Sequence, residues 1–496
     1  MASLAPVTED FDRRSYEIPK LGLGLSVDVY SPDLIDLMNE LALRDLRPAY
    51  LELFKATGKA LESVRRQLYG LPLTYHGEGL WVTQPDCSAD PFFKNNLGEA
   101  IQHLEILQSP WLNHECATKQ MAGYSFGTYL PPLYTRTSAY MVADNIELIQ
   151  QTLDLATRVA SHGSPLFLLE MPPLTYFSAG TIDVPEFFRL VTDRVSCGLV
   201  LDMGHLWTLY RYAALGRGQS LERFVGQFLD EFPLNRVVEI HVAGLAEHES
   251  VQGGCDHEAI PAWIDAHAAP IPSVLFSMLE QVLAHPSLIN LRAVALEVDT
   301  KPIALIVKEF HEVTRRFDRT IRGKMAADVL SGQHNLQLPH LEPAGTVPSE
   351  SDRRQLSDDY ARYAKIVSGQ MQPTGPEWQF IAESGIGLNR YTKEYLPNEI
   401  LHWGGDLPEM FSETCRALAE QNIALGEFVA WWFQRVRPAE QPYDFFLLKI
   451  RHFAEFVCER ASTIGPIVKK EASILRRAYA ETNDVLRPSS ERELTG

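Results

Sequence analysis

Over roughly the first 300 residues, short apolar runs alternate with longer stretches whose apolar positions recur every three or four residues. The runs are 21-LGLGLS-26, 48-PAYLELF-54, 71-LPLTYH-76, 110-PWLNHE-115, 165-PLFLLE-170, 198-GLVLD-202, 237-VVEIH-241 and 292-RAVALE-297. Each is short, rich in Leu, Val or aromatic residues, and bounded by polar or turn-forming residues, which predicts buried strands. The stretches 32–45, 136–161, 185–195 and 272–286 carry a helical period. Strands alternating with helices build parallel sheets through βα units. Such units repeated over this length predict a (β/α)8 TIM barrel, whose usual size is about 250 residues plus insertions. A doubly wound open sheet is the competing architecture. It would carry a Gly-rich first turn, and the sequence after the first run, 25-LSVDVYSPDL-34, holds no such turn.

Helical periodicity continues through 301–330. The Pro-, Ser- and charge-containing stretch 331–355 then reads as a linker. Residues 356–369, 409–436 and 443–462 read as helices. The expected organisation is a barrel domain over 1–330, a linker over 331–355 and an α-helical accessory domain over 356–496.

Composition narrows the functional classes. The chain has 496 residues, with 45 Lys and Arg against 64 Asp and Glu, a formal net charge of −19. Affinity for nucleic acid comes largely from cationic side chains on phosphates, so a nucleic-acid partner is not expected. Cysteines stand at 87, 116, 197, 255, 415 and 458 without a CxxC pair, which argues against a zinc ribbon or a disulfide scaffold. The N-terminus has no apolar run behind a basic start and no stretch approaches a bilayer span. The expected location is therefore the cytoplasm, away from membranes.

The chemistry gathers where the strand-like runs end. His76, Glu170, Asp202, His241 and Glu297 close their runs and His114 lies at the end of the fourth. In a (β/α)8 barrel all C-terminal strand ends meet on one face, where active sites form. One strand-end His is more often a satisfied core residue, but several metal-binding side chains at matching positions favour a metal centre over a metal-free polar network. His205 lies three residues past Asp202, and Asp265 and His267 share the loop 263-WIDAHAAPIP-272. The collected set, His76, His114, Glu170, Asp202, His205, His241, Asp265, His267 and Glu297, is too large for a single ion, which takes three or four protein ligands when it is zinc. Imidazoles and carboxylates without thiolates suit iron, manganese or zinc. Glu52, on the second run, is a candidate to hold a neighbouring metal-binding His in place without itself touching the ion. The Asp256–His257 pair reads as part of a solvated loop.

The ordered motifs 21-LGLGLS-26, 50-YLELF-54, 75-YHGEGL-80, 112-LNHE-115, 130-LPPLYT-135, 169-LEMPP-173, 199-LVLDMGHLW-207, 239-EIHVAG-244, 264-IDAHAAPI-271 and 296-LEVD-299 carry a family resemblance. Residues ~20–310 resemble the DUF692 family, the multinuclear non-heme iron-dependent oxidases that include the methanobactin-biosynthesis oxidase. The resemblance implies a fold similar to xylose isomerase and endonuclease IV barrels. It also implies two or three iron ions in a mixed-valent Fe(II)/Fe(III) centre, with O2 as co-substrate. The implied substrate is a ribosomally made precursor peptide, modified at Cys or another side chain. Carried onto this chain, the motif residues His76, His114, Glu170, Asp202, His241, Asp265, His267 and Glu297 look like iron ligands, with Glu170 bridging. His205 stands in 202-DMGH-205 where the family often has Asn. Glu170, Asp202 and His205 are the expected catalytic residues.

Family members often work with a separate protein that holds the precursor, a role the fused C-terminal region would take over. The aromatic stretches 428-FVAWWFQ-434 and 443-YDFF-446 are either a peptide groove or the core of a helical domain, and residue type favours the core. The competing functions are a divalent-metal isomerase or phosphodiesterase on the same barrel type, which needs no O2, and a metal-binding scaffold with a closed site.

Overall fold

Every one of the eight apolar runs contains a β-strand, and together they close into a parallel barrel. In chain order the strands are β1 (Gly22–Val27), β2 (Leu51–Phe54), β3 (Leu73–His76), β4 (Trp111–Glu115), β5 (Thr118–Met121), β6 (Tyr124–Leu130), β7 (Leu166–Glu170), β8 (Gly198–Asp202), β9 (Val237–Val242), β10 (Leu245–Glu247), β11 (Trp263–Asp265) and β12 (Ala293–Glu297). The barrel runs β1-β2-β3-β4-β7-β8-β9-β12 and returns to β1. β5–β6 and β10–β11 form separate two-stranded sheets inserted between barrel strands. The computed structural model describes residues 4–85, 87–90, 92–157, 163–212, 218–247, 261, 263–326, 348–374, 385–437 and 445–485. Cys255, the Asp256–His257 pair, residues 331–347 of the expected linker, Tyr443 and the tail 487–496 lie outside the described residues.

Strand alternation sorts the side chains into two layers. Leu23, Leu53, Leu112, Phe167, Leu169, Leu199, Ile240 and Leu296 face outward into the core shared with the helices. Tyr50, Trp111, Leu166, Leu168, Val200, Ala293 and Ala295 fill the barrel interior. Phe11 and Ile18 join that interior cluster, so the helix Leu4–Glu17 and the residue that follows it plug the N-terminal end. Arg292 Nε donates to Ser15 O at 2.9 Å and holds the plug. Farther along the strands the inward positions turn polar: Glu52, Thr74, His76, Asn113, Glu115, Glu170, Asp202, Glu239, His241 and Glu297 are all buried.

Helix starts follow their caps. Asp33, Thr57, Asp183 and Ser220 each accept backbone N–H groups at the first turns of the helices Leu34–Ala42, Gly58–Gln67, Val184–Thr192 and Leu221–Glu231. The expected 136–161 helix runs Arg136–Thr157 as one piece through Asp144 and Asn145. Asn145 Nδ2 is engaged by Val82 O and Gln84 O, which removes its competition with the helix backbone.

By chain contacts the molecule divides into two compact units. The first comprises 1–118, 130–359 and 373–388, and the second comprises 119–129, 360–372 and 389–496. Two features do not follow from the sequence pattern. A helix starts at Glu350, inside the stretch that reads as linker, because Ser349 and Asp352 cap each other: Ser349 N donates to Asp352 Oδ2 at 2.7 Å and Asp352 N to Ser349 Oγ at 3.2 Å. The β5–β6 hairpin turns at Ala122 and Gly123, both with positive φ. Its segment 119–129 belongs to the second unit: Trp432 Nε1 donates to Ser125 O at 2.8 Å and Arg437 N to Gly123 O at 2.9 Å. In that unit Phe428, Trp432 and Phe433 are buried, and Phe428 packs against Phe453 and Phe456. The 428–434 aromatics therefore form its core.

Candidate metal centre

The inward polar positions at the strand ends converge. Glu170, Asp202, His241 and Glu297 each place one ligand atom within 4.8 Å of the others, and so do His76, Glu115 and Glu170. Ligand atoms around one ion at about 2.1 Å lie roughly 3–4.2 Å apart, so both groups are within small adjustments of closing on a cation. Glu170 belongs to both. Its Oε1 lies 3.2 Å from His241 Nδ1 and its Oε2 lies 3.1 Å from His76 Nε2. Around the first group, His205 Nε2 lies 3.8 Å from Asp202 Oδ1 and 3.5 Å from Asp265 Oδ2. His267 Nε2 lies 3.1 Å from Asp265 Oδ2 and 3.3 Å from Glu297 Oε2.

His76, His205 and His267 have their far nitrogens anchored, which fixes the face each offers. His76 Nδ1 donates to Gly77 O at 3.1 Å and His205 Nδ1 to Met171 O. His267 Nδ1 is bonded to Asp299 Oδ2 at 3.1 Å. His241 Nε2 sits 3.1 Å from Glu52 Oε1, itself held by Ser26 Oγ at 3.0 Å. Glu52, Glu239 and His241 form a third group whose ligand atoms lie within 4.8 Å of one another. Asp202 also shapes the backbone. Its Oδ1 accepts His205 N at 2.6 Å and so starts the helix Met203–Tyr212 that carries His205.

The buried carboxylates and histidines of the cluster perturb one another strongly. Burial pushes Asp202 up to about 7, with His205 opposing and Glu297 and Asp265 adding to the rise. Burial also pushes Glu115 well above the carboxylate range, reinforced by Glu170. Burial would lower His76, but its hydrogen bond to Glu170 and the charge of Glu52 raise it to about 9. His241 and His267 are likewise raised against burial, by Glu170 and by Glu297 respectively. In this arrangement imidazolium protons neutralise part of the carboxylate charge. Metal ions would displace those protons. Buried oxygens still lack any hydrogen-bond partner: Glu115 Oε2, Asp202 Oδ2, Asp265 Oδ1 and Glu297 Oε2. Unpartnered buried carboxylate oxygens are costly, and bound cations would satisfy them. The donor set fits divalent metal ions, and Glu170 offers one oxygen to each of the two groups.

His114 stands apart from this cluster. On β4, Asn113 and Glu115 share the inward face: Asn113 Nδ2 donates to Glu170 Oε2 at 2.9 Å. The period of two turns His114 outward, where its ring stacks on Phe167 and its Nε2 accepts Leu80 N at 3.1 Å. Burial holds it at about 4, a neutral imidazole. Glu115 and Asp299 were not singled out from sequence. Strand alternation from Asn113 and the two-residue step from Glu297 are the signals that mark them.

Fold and site together define a (β/α)8 barrel with a candidate multinuclear metal centre at the C-terminal mouth. The chain belongs to the family of the RiPP precursor modification enzyme MbnB/TglH/ChrH, whose family description matches residues 20–317. Among curated relatives, a UPF0276 protein of Rhizobium meliloti (strain 1021) is 28% identical over 159 residues, covering 32% of this chain and 44% of that protein. A UPF0276 protein of Acaryochloris marina (strain MBIC 11017) is 25% identical over 224 residues, 45% of this chain and 68% of that protein. The chain thus spans about half to two thirds of the length of the relatives it matches. Among solved structures, endonuclease IV from Thermus thermophilus is 15% identical, with TM-score 0.35 over 59% of this chain and 99% of that chain. A D-tagatose 3-epimerase-like protein is 13% identical, with TM-score 0.34 over 62% of this chain and 100% of that chain. Among the described residues no helix is long and apolar enough to cross a membrane.

Proposed function

We propose that this protein is a metal-dependent enzyme that modifies a ribosomally synthesised precursor peptide, and that its centre holds two or three iron ions and uses O2. The observation that carries the reading is Glu170, a single buried carboxylate shared by two donor groups at the barrel mouth. When bound, the ions supply Lewis acidity, redox equivalents and open positions for the peptide side chain and O2. The protein's own residues hold that chemistry in place. Gly77 O, Met171 O and Asp299 fix the orientations of His76, His205 and His267, and Glu170 Oε1 bonds His241 Nδ1. Phe54 stacks on His76 at 4.3 Å between centroids and limits water access to it. Glu170, Asp202 and His205 are the proposed catalytic residues. The fused helical unit is proposed to replace a separate peptide-holding partner. Its 428–434 aromatics are spent on its own core, so recognition would use its surface.

Elemental analysis of anaerobically purified protein, with Mössbauer spectroscopy of 57Fe-grown material, tests the metal assignment. Two or three irons per chain with mixed valence is the expected result. Zinc or manganese alone, without uptake of Fe(II), overturns the oxidase reading and leaves a hydrolytic or isomerising barrel.

A further inference from the structure

We propose that Glu115 is a metal ligand, and that it, with His76 and Glu170, forms the second ion position of the centre. The inference rests on the metal-dependent reading above and adds a coordinating residue to it. Glu115 and His114 are neighbours on β4, but only one of them can face the barrel interior. The structure places Glu115 there. Its carboxylate offers an oxygen within 4.8 Å of ligand atoms from both His76 and Glu170.

Three observations converge on coordination. Glu115 is only 8% exposed, and its Oε2 has no hydrogen-bond partner. A carboxylate buried to that degree without a donor is retained at a cost unless a cation or proton satisfies it. The residues around it are already committed as a binding site would require. His76 Nδ1 is tied to Gly77 O, leaving Nε2 to face Glu170. Asn113 Nδ2 braces Glu170 Oε2. Glu115 pairs with Glu170 across the β4–β7 ladder, so the two carboxylates are held side by side by backbone register. His114 cannot take the same role without losing its bond from Leu80 N and its place against Phe167.

The position would take a divalent cation with mixed carboxylate and imidazole ligation. Glu170 would bridge to the neighbouring ion held by Asp202, His241 and Glu297. The metal-free alternative is a carboxylic acid at Glu115 sharing its proton with Glu170, which predicts no effect of Glu115 on metal count.

The test compares the unaltered chain with Glu115→Gln and His114→Gln. Each is loaded anaerobically with Fe(II) and, separately, with Zn(II), then desalted and analysed for metal per chain. For the iron samples Mössbauer spectra are also recorded. Glu115→Gln is expected to retain one ion fewer, or to hold it at least about tenfold more weakly, with one iron component missing. His114→Gln is expected to keep the full count. If Glu115→Gln keeps the full count and an unchanged spectrum, the assignment is wrong. If His114→Gln loses the ion instead, His114 is the ligand and the assignment is equally wrong. Should Glu115→Gln fold poorly by circular dichroism, Glu115→Asp decides: a retained count with an altered iron component supports ligation, and an unaltered one refutes it. Failure of the unaltered chain to take up iron sinks the oxidase reading alone. The zinc counts still decide Glu115.

Discussion

At the scale of single residues, the chain pairs buried charges with anchors chosen by geometry. Away from the candidate metal centre, Asp154 shows the same logic. Arg14 grips it with two nitrogens at 2.9 and 2.7 Å, and Ser164 and Gln150 add hydrogen bonds. Partial burial would raise Asp154, but these partners outweigh it and depress it from 3.8 to about 2. A carboxylate whose pKa is lower folded than unfolded stabilises the fold above its unfolded value, and that contribution fades as pH falls toward the folded value. Asp154→Asn is therefore expected to cost roughly 1 kcal/mol or less at pH 7. The gap between variant and unaltered protein should shrink below about pH 4 and nearly vanish near pH 2. Denaturant unfolding at a series of pH values checks this, and a gap independent of pH would contradict the account. Residue identity at the strand ends was legible in the sequence. Side-chain direction was less so. His114 and Glu115 look equally suited to a metal, and only the alternation along β4 separates them.

At the scale of elements, the site depends on a loop that no periodicity reveals. Asp265 ends β11, and His267 hangs from the segment between β11 and the helix Ser273–Ala284. That segment is fastened to Gly244, whose O accepts Ala266 N at 2.9 Å. A Cβ on Gly244 would lie 2.0 Å from Ala269 O and 2.7 Å from Ala266 O. Both are backbone atoms, so relief requires the loop to move. If the proposed centre holds an ion beside Asp265 and His267, Gly244→Ala is expected to weaken its retention by about tenfold or more, with His76 and Glu170 left in place. Metal titration with spectroscopic resolution of the sites measures this. Unchanged affinity would mean that the loop tolerates displacement. The barrel strands were readable because their apolar runs are short, punctuated and repeated. The β5–β6 hairpin escapes such a reading because its alternation is mixed: Lys119, Gln120 and Tyr129 are only partly buried.

At the scale of the whole molecule, the units are interleaved along the chain. Residues 119–129 leave the first unit after β4 and fold with residues 360–372 and 389–496. Gly127, with positive φ, sits so close to Phe445 that a Cβ would lie 2.6 Å from the ring. Phe126 meets Phe433 with centroids 5.3 Å apart. Cooperative opening follows packing rather than sequence proximity. In native-state hydrogen exchange with rising denaturant, the amides of 119–129 are expected to open together with the helices Leu425–Trp432 and Phe445–Arg460. Opening in step with β4 would show that the hairpin is stabilised by the barrel instead.

What the sequence by itself determined is the alternation of strands and helices, hence the barrel, and the supply of His, Asp and Glu at the strand ends. Local periodicity and strand-end position encode both. The tertiary structure decided which of those side chains meet. It turned His114 outward and Glu115 inward and set Asp299 behind His267. It also gathered a hairpin from the middle of the barrel sequence into a unit built mostly of C-terminal helices. These outcomes depend on register, loop closure and packing between segments up to hundreds of residues apart, and no local pattern in the chain carries that information.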